Sequence, residues 1–263
     1  MNNVLRGTTA LITGASSGLG ADFARDLARR GCNLILVARR EDLLRGLSEE
    51  ITGKHGVQVD IVPLDLTEPN AAEQLFDRLK AESREIDVLV NNAGYGVFGE
   101  FIEIPWERER NMLELDIVVL THMTKLFVKP MVERGFGYIL QVASIGAYQP
   151  SPTYATYSAA KSYVLSFGEA LRYELRRTGV QCTVVSPGIV ATAFRDVAGQ
   201  QTTLYQRLLM MESPDVVRIG VDAMLKGRAT VIPGWLNALT VWSNRFVPHR
   251  ISIPLTHRLM TIT

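Results

Sequence analysis

The chain has 263 residues, of which 47% are hydrophobic and 21% are charged, and its formal net charge is +1. That length suits a single α/β domain covering residues 1–263, because no linker-like or low-complexity stretch divides the chain. The near-neutral charge implies no broad electrostatic attraction to nucleic acid or to an acidic membrane. The absence of an apolar signal core or of about 18 consecutive apolar residues leads us to expect a cytoplasmic protein.

Short apolar runs alternate with stretches of helical periodicity, which predicts βα units and a parallel sheet covered by helices on both faces. Strands are predicted at residues 8–13, 32–38, 57–64, 86–91, 136–142, 180–186 and 229–232. Helices are predicted at residues 18–30, 41–53, 69–83, 106–133, 155–178 and 214–226. The expected fold class is therefore α/β, with one doubly wound domain around a parallel seven-stranded sheet. Cys32 and Cys182 fall in predicted strands, and we expect both thiols to be buried and unpaired.

A glycine-rich turn follows the first predicted strand and opens the first predicted helix. Gly14 can supply the tight turn, Gly18 can let the backbone approach a pyrophosphate, and Gly20 can let the helix pack closely on the sheet. Free amides at this helix N-terminus would then face the anion. The spacing differs from the commoner dinucleotide fingerprint, so the run alone is also compatible with a simple turn.

The second predicted strand, 32–38, ends where the adenosine ribose of a bound dinucleotide would lie. An acidic residue at this place would accept the 2′-hydroxyl of NAD. This chain has Ala38 there, followed by Arg39 and Arg40. A guanidinium can bind a 2′-phosphate through paired charge-assisted hydrogen bonds, whereas an acid would repel it. The pattern favours NADP(H) over NAD(H), although a solvated strand end would carry such arginines too.

Polar side chains follow three later strands near their carboxyl ends, where open parallel sheets bind ligands. Asp65 ends the strand 57–64, the run 91–94 ends the strand 86–91, and Ser144 follows the strand 136–142. Each of these alone is more typical of a turn or a helix cap.

Tyr157 and Lys161 stand four residues apart in a predicted helix, so their side chains share one face. A nearby ammonium, together with the positive nicotinamide ring of an oxidised dinucleotide, would favour the phenolate and lower the pKa of Tyr157 from about 10, which would let the phenol exchange protons near neutrality. Tyr154 has no lysine four residues later, since Ser158 stands there. Spacing alone favours two surface residues of an amphipathic helix, and only the surrounding residues favour a catalytic pair.

With these residues in this order, followed by Pro187 and Gly188, the chain resembles a single-domain short-chain dehydrogenase/reductase of roughly 250 residues. The resemblance covers nearly the whole chain and weakens after about Trp235. It implies a Rossmann-like fold, hydride transfer between a nicotinamide dinucleotide and a carbon bearing oxygen, and Tyr157 as the proton donor or acceptor. Ser144 would bind the substrate oxygen, and Lys161 would also hold the nicotinamide ribose.

The resemblance also implies a cofactor site and no metal site. Asp65 would meet the adenine amine, and the residues from Asn92 to Gly94 would line the cleft. The cofactor-binding residues expected are Gly14, Ser16, Ser17, Gly18, Leu19, Gly20, Arg39, Arg40, Asp65, Leu66, Asn92, Ala93, Gly94, Tyr157, Lys161, Pro187, Gly188, Ile189 and Thr192.

Two positions depart from the family pattern. Ser17 stands before Gly18 where some NADP-using members carry a basic residue. Asp116 stands where many members have an asparagine that completes a proton relay through a water molecule. An ionised aspartate accepts hydrogen bonds but cannot donate them, so it would support the Lys161 ammonium and oppose phenolate formation at Tyr157. We therefore predict Asp116 as a fourth catalytic residue, in a working relay with altered pH dependence.

The segments expected around the substrate are apolar, which favours a small apolar carbonyl compound or alcohol such as an aromatic ketone, an acyl chain or a steroid-like ring. They are residues 95–98, 145–148, 189–194 and 208–211. The stretch 194–213 lacks strong periodicity and is expected to form a mobile lid. The resembling family is usually homo-oligomeric, so a homodimer or homotetramer is expected, paired through helices 106–133 and 155–178.

The C-terminal segment, about 235–263, places Trp235, Leu239, Trp242 and Phe246 on one helical stripe. A core or subunit contact is the favoured interpretation, and docking on a membrane surface is the alternative.

The sequence thus predicts an NADPH-dependent carbonyl reductase or alcohol dehydrogenase. A non-catalytic dinucleotide-sensing or scaffold protein is the main alternative, with Asp116 as its only support. A sugar-nucleotide epimerase or dehydratase is a second one, although the short C-terminal region leaves little room for a nucleotide-sugar domain.

Overall fold

Seven strands form one sheet in the order β3-β2-β1-β4-β5-β6-β7, and every neighbouring pair is parallel. The computed structural model describes residues 4–191 and 209–261. The strands are β1 (Thr9–Thr13), β2 (Asn33–Ala38), β3 (Val59–Pro63), β4 (Val88–Asn91), β5 (Gly137–Val142), β6 (Val180–Val185) and β7 (Thr230–Val231). The strand order reverses between β1 and β4, and in such sheets a crevice for ligands opens at the carboxyl ends beside the reversal.

Helices cover both faces of this sheet. Among the described residues they are α1 (Gly18–Arg29), α2 (Glu41–His55), α3 (Ala71–Ala81), α4 (Trp106–Leu113), α5 (Leu120–Arg134), α6 (Ala155–Glu174), α7 (Ser213–Leu225), α8 (Trp235–Ser243) and α9 (His249–Thr261). A π-helical segment, Glu114–Val119, joins α4 to α5, and a short 3₁₀ helix, Ile145–Tyr148, follows β5. None of the helices in these described ranges is both long enough and apolar enough to cross a membrane.

The central strands are apolar on both faces because each face packs on a separate hydrophobic cluster. Ile12 and Leu36 belong to the cluster under α1, α2 and α7, whereas Leu11 and Ile35 belong to the cluster under α3 and α5. All four side chains have no exposed surface. Continuous apolar runs of this kind are typical of parallel strands that are covered on both sides.

The doubly wound α/β fold is confirmed, with two differences in the helices. The predicted helix 106–133 contains the π-helical segment, and the predicted helix 155–178 already ends at Glu174. A left-handed glycine follows shortly afterwards: Gly179 has a φ of +79°, and a Cβ there would lie 2.0 Å from the Gly135 carbonyl oxygen. Cys32 and Cys182 are buried and unpaired, as expected.

The stripe after Gly234 lies on α8 as far as Trp242, with Phe246 in the turn that follows, but the core interpretation of it is wrong for this chain. Trp235 is 74% exposed and Phe246 is 70% exposed, while Asn237 and Val241 occupy the buried side of α8. Thr192 and most of the predicted lid, residues 194–208, lie outside the described residues. At the edge of that gap, Met211 donates its N–H to the Ile189 carbonyl at 2.9 Å.

Candidate active site

The glycine-rich loop joins β1 to α1 and packs against the end of β4. Gly14 has a φ of +67°, and a Cβ at this position would lie 2.9 Å from the Ala93 Cα. A Cβ on Gly20 would lie only 2.2 Å from the Gly14 carbonyl oxygen, so the first turn of α1 requires glycine there. Gly18, with a φ of +55°, begins the helix and leaves its first amides free toward the crevice.

A set of hydrogen bonds fastens this loop to the following strand end. The Thr13 hydroxyl accepts the N–H groups of Asn92 and Ala93, each at 3.0 Å. The Asn92 side-chain amide donates to the carbonyl oxygens of Thr13 at 2.9 Å and of Gly14 at 3.3 Å. Asn92 was predicted only as a lining residue, and the structure gives its amide a role in holding the loop.

The two arginines after β2 reach different parts of the crevice. Arg40 donates to the hydroxyls of Ser16 at 3.0 Å and Ser17 at 2.8 Å. Arg39 is largely exposed, and its guanidinium lies 3.6 Å from the Asp65 carboxylate. Both guanidinium groups therefore lie at the carboxyl end of β2, where the sequence places the adenosine ribose.

Asp65 is held at the edge of the crevice by hydrogen bonds from Thr67, two residues later in the chain. Its Oδ1 accepts the backbone N–H of Thr67 at 3.0 Å and the Thr67 hydroxyl at 2.7 Å. Burial by itself would raise the pKa of Asp65, but these hydrogen bonds and the Arg39 charge outweigh it and lower the pKa.

Ser144, Tyr157 and Lys161 meet where β5 ends and α6 begins. Ser144 caps the 3₁₀ helix by accepting the Gly146 N–H at 3.1 Å, and it also forms a side-chain hydrogen bond with Tyr157. The Lys161 ammonium lies 5.6 Å from the centre of the Tyr157 ring and donates to the Val142 carbonyl at 3.2 Å. The structure therefore brings the three predicted side chains into one cluster.

The pKa of Tyr157 is raised in this structure, whereas the sequence analysis expected the Lys161 ammonium and the nicotinamide ring of an oxidised cofactor to lower it. Burial disfavours the phenolate most strongly, and the negative charge of Asp116 disfavours it further. The hydrogen bond with Ser144 acts in the opposite direction. Asp116 therefore disfavours the Tyr157 phenolate, as the sequence analysis expected. The larger effect is the burial of Tyr157, which the sequence could not reveal.

Asp116 lies in the π-helical segment, fully buried behind the cluster. Its Oδ2 is 2.9 Å from the Lys161 ammonium, and its Oδ1 accepts the Tyr95 N–H at 3.1 Å. Burial raises the pKa of Asp116, and the Lys161 ammonium and the hydrogen bond from Tyr95 oppose that rise. A Cβ on Gly94 would lie 2.5 Å from the Asp116 Oδ1, so the carboxylate requires glycine at this place.

Most of the predicted site residues line one cleft of about 1050 Å³. They are Gly14, Ser16, Ser17, Gly18, Leu19, Arg39, Arg40, Asp65, Leu66, Asn92, Ala93, Gly94, Ser144, Tyr157, Lys161, Pro187, Gly188 and Ile189. Gly20 and Asp116 lie behind this lining, and Thr192 is outside the described residues. Their proposed roles in catalysis and cofactor binding stay predictions.

The sequence analysis missed several lining residues on α4 and just after it. Arg108, Arg110, Asn111 and Leu115 also face the cleft. The charged run 107–110 is typical of a solvated helix face, so its pattern carried no signal for a site. Tyr154 also lines the cleft, with its ring centre 5.6 Å from that of Tyr157.

Comparisons with known proteins give this cleft a family context. The family model described as short chain dehydrogenase matches residues 8–203. An uncharacterized oxidoreductase from Myxococcus xanthus is 33% identical over 251 residues, which cover 95% of this chain and 97% of that protein. A very-long-chain 3-oxoacyl-CoA reductase from Pyrenophora tritici-repentis is 32% identical over 251 residues, covering 93% of this chain and 73% of that protein.

A solved structure is also similar to this chain. The short-chain dehydrogenase from Sphingobium yanoikuyae in complex with NADPH superposes with a TM-score of 0.81 and is 30% identical. The match covers 91% of this chain and 94% of that one. Together with the parallel seven-stranded sheet and the arrangement of its crevice, these matches establish that the chain belongs to the short-chain dehydrogenase family.

Proposed function

We propose that this protein is an NADPH-dependent oxidoreductase that interconverts a carbonyl and an alcohol on an apolar substrate. The observation that carries the proposal is that Ser144, Tyr157 and Lys161 share one cleft with Arg39 and Arg40. Two strands, β1 and β4, separate the ends of β2 and β5, a distance of roughly 14 Å at the usual strand spacing. That separation suits an extended dinucleotide with its adenosine over β2 and its nicotinamide beside β5.

The residues present fit such a cofactor. The close backbone approaches at Gly14 and Gly20 leave a cradle without side chains, and the free amides at the start of α1 suit a pyrophosphate. Arg39 and Arg40 would pair with a 2′-phosphate, and Ala38 stands at the strand end where an acid would favour NAD. The preference for NADP(H) rests on this charge pattern and on the likeness to a relative solved with NADPH.

When bound, the cofactor would supply or accept the hydride. Tyr157 would donate a proton to the substrate oxygen in reduction and would accept it in oxidation. Ser144 would hold that oxygen by a hydrogen bond, which keeps the carbon in reach of the nicotinamide. Lys161, fixed between Asp116 and the Val142 carbonyl, would place a positive charge beside the phenol and contact the ribose.

The substrate side of the cleft favours an apolar carbonyl compound. Ile145, Gly146, Ile189 and Tyr154 line it, and apolar walls with a few placed polar groups are typical of sites for such ligands. We propose a 3-oxoacyl thioester as the first substrate class to test, because the Pyrenophora relative bears the name of a reductase for it. A steroid-like ring ketone is the second class.

We also propose a homo-oligomer in which α5 and α6 pair across a two-fold axis. Exposed apolar side chains lie on or beside these helices, including Val118 at 51% exposure and Tyr173 at 67%. Light scattering of wild type and Val118→Glu tests this pairing, and an unchanged mass for the variant would contradict it.

The experiment follows oxidation of NADPH and NADH with 3-oxoacyl thioesters, steroid ketones and aromatic ketones. Wild type is compared with Tyr157→Phe and with Tyr154→Phe, a neighbouring tyrosine that also lines the cleft. We expect faster turnover with NADPH and a loss of about 10²- to 10⁴-fold in kcat for Tyr157→Phe alone.

Two outcomes would contradict the proposal. Equal turnover by Tyr157→Phe and wild type would remove the assigned proton donor. Tight NADPH binding with no turnover of any compound would favour a dinucleotide-sensing protein instead.

A further inference from the structure

The two C-terminal helices carry their apolar and polar residues on unexpected sides. The buried side chains include three polar ones, Asn237 at 1% exposure, Ser252 at 6% and Thr256 at 7%. A helix on a globular protein normally buries its apolar stripe and exposes its polar one. Here the outward side, which we call the C-terminal face, consists of Trp235, Leu236, Leu239, Trp242, Phe246, Ile251 and Leu255, all of them exposed.

Hydrogen bonds on the inner side fix this orientation. Asn244 donates to the Gln149 side-chain oxygen at 2.5 Å, and Gln149 donates to the Thr256 hydroxyl at 3.2 Å. Asn237 donates to the Leu209 carbonyl at 3.5 Å, and a Cβ on Gly188 would lie 2.5 Å from the Asn237 side-chain amide. Rolling either helix to bury its aromatic side chains would break these contacts and leave buried polar groups unpaired.

The charge of the segment has a single sign. Residues 235–261 contain Arg245, Arg250 and Arg258 and no aspartate or glutamate. All three arginines are exposed. The partner that best complements this surface therefore offers negative charge beside an apolar interior.

An anionic lipid surface meets both conditions, and a second copy of the chain does not. A two-fold interface would place the same patch on both sides and bring the three arginines of each copy together with no acid in the segment to pair with them. Interfacial helices, in contrast, combine tryptophan, phenylalanine and leucine with basic residues at the headgroup level. We propose that the C-terminal face docks this protein on membranes that contain acidic phospholipids.

Docking would have a consequence for the cleft. A cavity of about 40 Å³ lies between the C-terminal helices and the substrate side of the cleft, lined by Val241 and Thr256 and by Ile145 and Ile189. The docked helices would thus adjoin the substrate side of the cleft, and we expect an apolar substrate to arrive from the bilayer. This consequence rests on the proposed function, whereas docking itself does not.

The test is co-sedimentation with vesicles of phosphatidylcholine alone or mixed with phosphatidylglycerol. One variant combines Leu239→Ser, Trp242→Ser and Phe246→Ser, and a second combines Arg245→Gln, Arg250→Gln and Arg258→Gln. A matched control, Leu43→Ser with Arg45→Gln, changes an exposed leucine and arginine on α2.

We expect wild type and the control to bind the mixed vesicles. The arginine variant should bind them more weakly by on the order of a hundredfold, since each basic residue near an anionic surface contributes about a factor of five. The apolar variant should lose binding to both vesicle types. Raising the salt concentration should weaken wild-type binding.

A second measurement needs no disruptive variant. In a Trp106→Phe background, the emission of Trp235 and Trp242 should shift to the blue and be quenched by brominated lipid. No sedimentation and no quenching would overturn the proposal, and so would equal binding by all variants. A concentration-dependent dimer lost only in the apolar variant, without vesicle binding, would assign the face to a second copy. Because none of these readouts uses turnover, failure of the proposed reaction would leave them interpretable.

Discussion

The Asp116 carboxylate lies 2.9 Å from the Lys161 ammonium, and both side chains are buried behind the candidate active-site cleft. Lys161 also donates to the Val142 carbonyl, and Asp116 accepts the Tyr95 N–H. The ammonium is therefore held by a carboxylate, and the charge of that carboxylate adds to the effect of burial in raising the pKa of Tyr157.

Asp116→Asn should lower the pKa of Tyr157 by removing the negative charge that disfavours its phenolate. Oxidation of an alcohol needs the phenolate, so the acidic limb of its pH profile should move to lower pH. Reduction needs the protonated phenol, so its basic limb should move in the same direction. The measurement is kcat/KM against pH in both directions.

Asp215→Asn is the control for this substitution, because Asp215 is an exposed acid paired with Arg218 on α7. Its profiles should match those of wild type. Unshifted profiles for Asp116→Asn would mean that the carboxylate only fills space in the helix.

Gly94→Ala should impair turnover more than it impairs folding. The new methyl group would lie 2.5 Å from the Asp116 carboxylate and 3.2 Å from the Lys161 ammonium, so the ion pair must move. Gly46→Ala is the matched control, since a Cβ there meets nothing within 4 Å inside α2. We expect the control to stabilise the protein by roughly 0.5–1 kcal/mol with unchanged kcat. Normal kcat in Gly94→Ala would contradict the need for this contact.

Arg39→Ala and Arg40→Ala should reduce the preference for NADPH over NADH. Hydrogen bonds to charged groups contribute about 1.5–3 kcal/mol, which corresponds to roughly a tenfold to hundredfold loss in kcat/KM for NADPH. The kcat/KM for NADH should be nearly the same in the variants as in wild type, because NADH lacks the 2′-phosphate. Arg45→Ala, on the exposed side of α2, serves as the control. A parallel loss for both cofactors would show that the arginines only shape the loop.

The two buried thiols should make stability fall at alkaline pH. Burial raises the pKa of Cys32 to about 11 and that of Cys182 to about 12, from a usual value of 9.0. The two thiols contribute fully to the free energy of unfolding below pH 9.0. This contribution is lost as the pH rises through their pKa values in the folded protein. Over this range the free energy of unfolding falls by up to roughly 1.4 kcal/mol per pH unit for each thiol.

Denaturant unfolding of wild type and of the Cys32→Ala, Cys182→Ala double variant, measured from pH 8 to pH 11, checks this slope. The double variant should show the shallower dependence on pH. Equal slopes would mean that the thiols titrate as they do in the unfolded chain.

The positions of the strands and most of the cleft could be predicted because both depend on local pattern. Apolar runs determine where buried parallel strands lie, and small or polar residues at their carboxyl ends necessarily meet at one edge of the sheet. The places of Gly14, Asp65, Gly94 and Ser144 followed from this rule.

Features that depend on packing across the chain could not be predicted in the same way. Helical periodicity does not reveal that one turn before α5 widens into a π-helical segment that brings Asp116 beside Lys161. Nor does the aromatic stripe of α8 say which side faces the protein, because hydrogen bonds from Asn237 to Leu209 and from Asn244 to Gln149 decide it. The raised pKa of Tyr157 likewise depends on burial, which is a property of the folded chain.

The hydrogen bonds between Thr13 and Asn92 make the dinucleotide cradle a preformed rigid receptor. Four of its backbone groups are fixed by side chains before any ligand arrives, so binding has little loop entropy left to lose. The affinity of the cleft for its cofactor is therefore expected to depend mainly on the contacts made, with only a small penalty for ordering the loop.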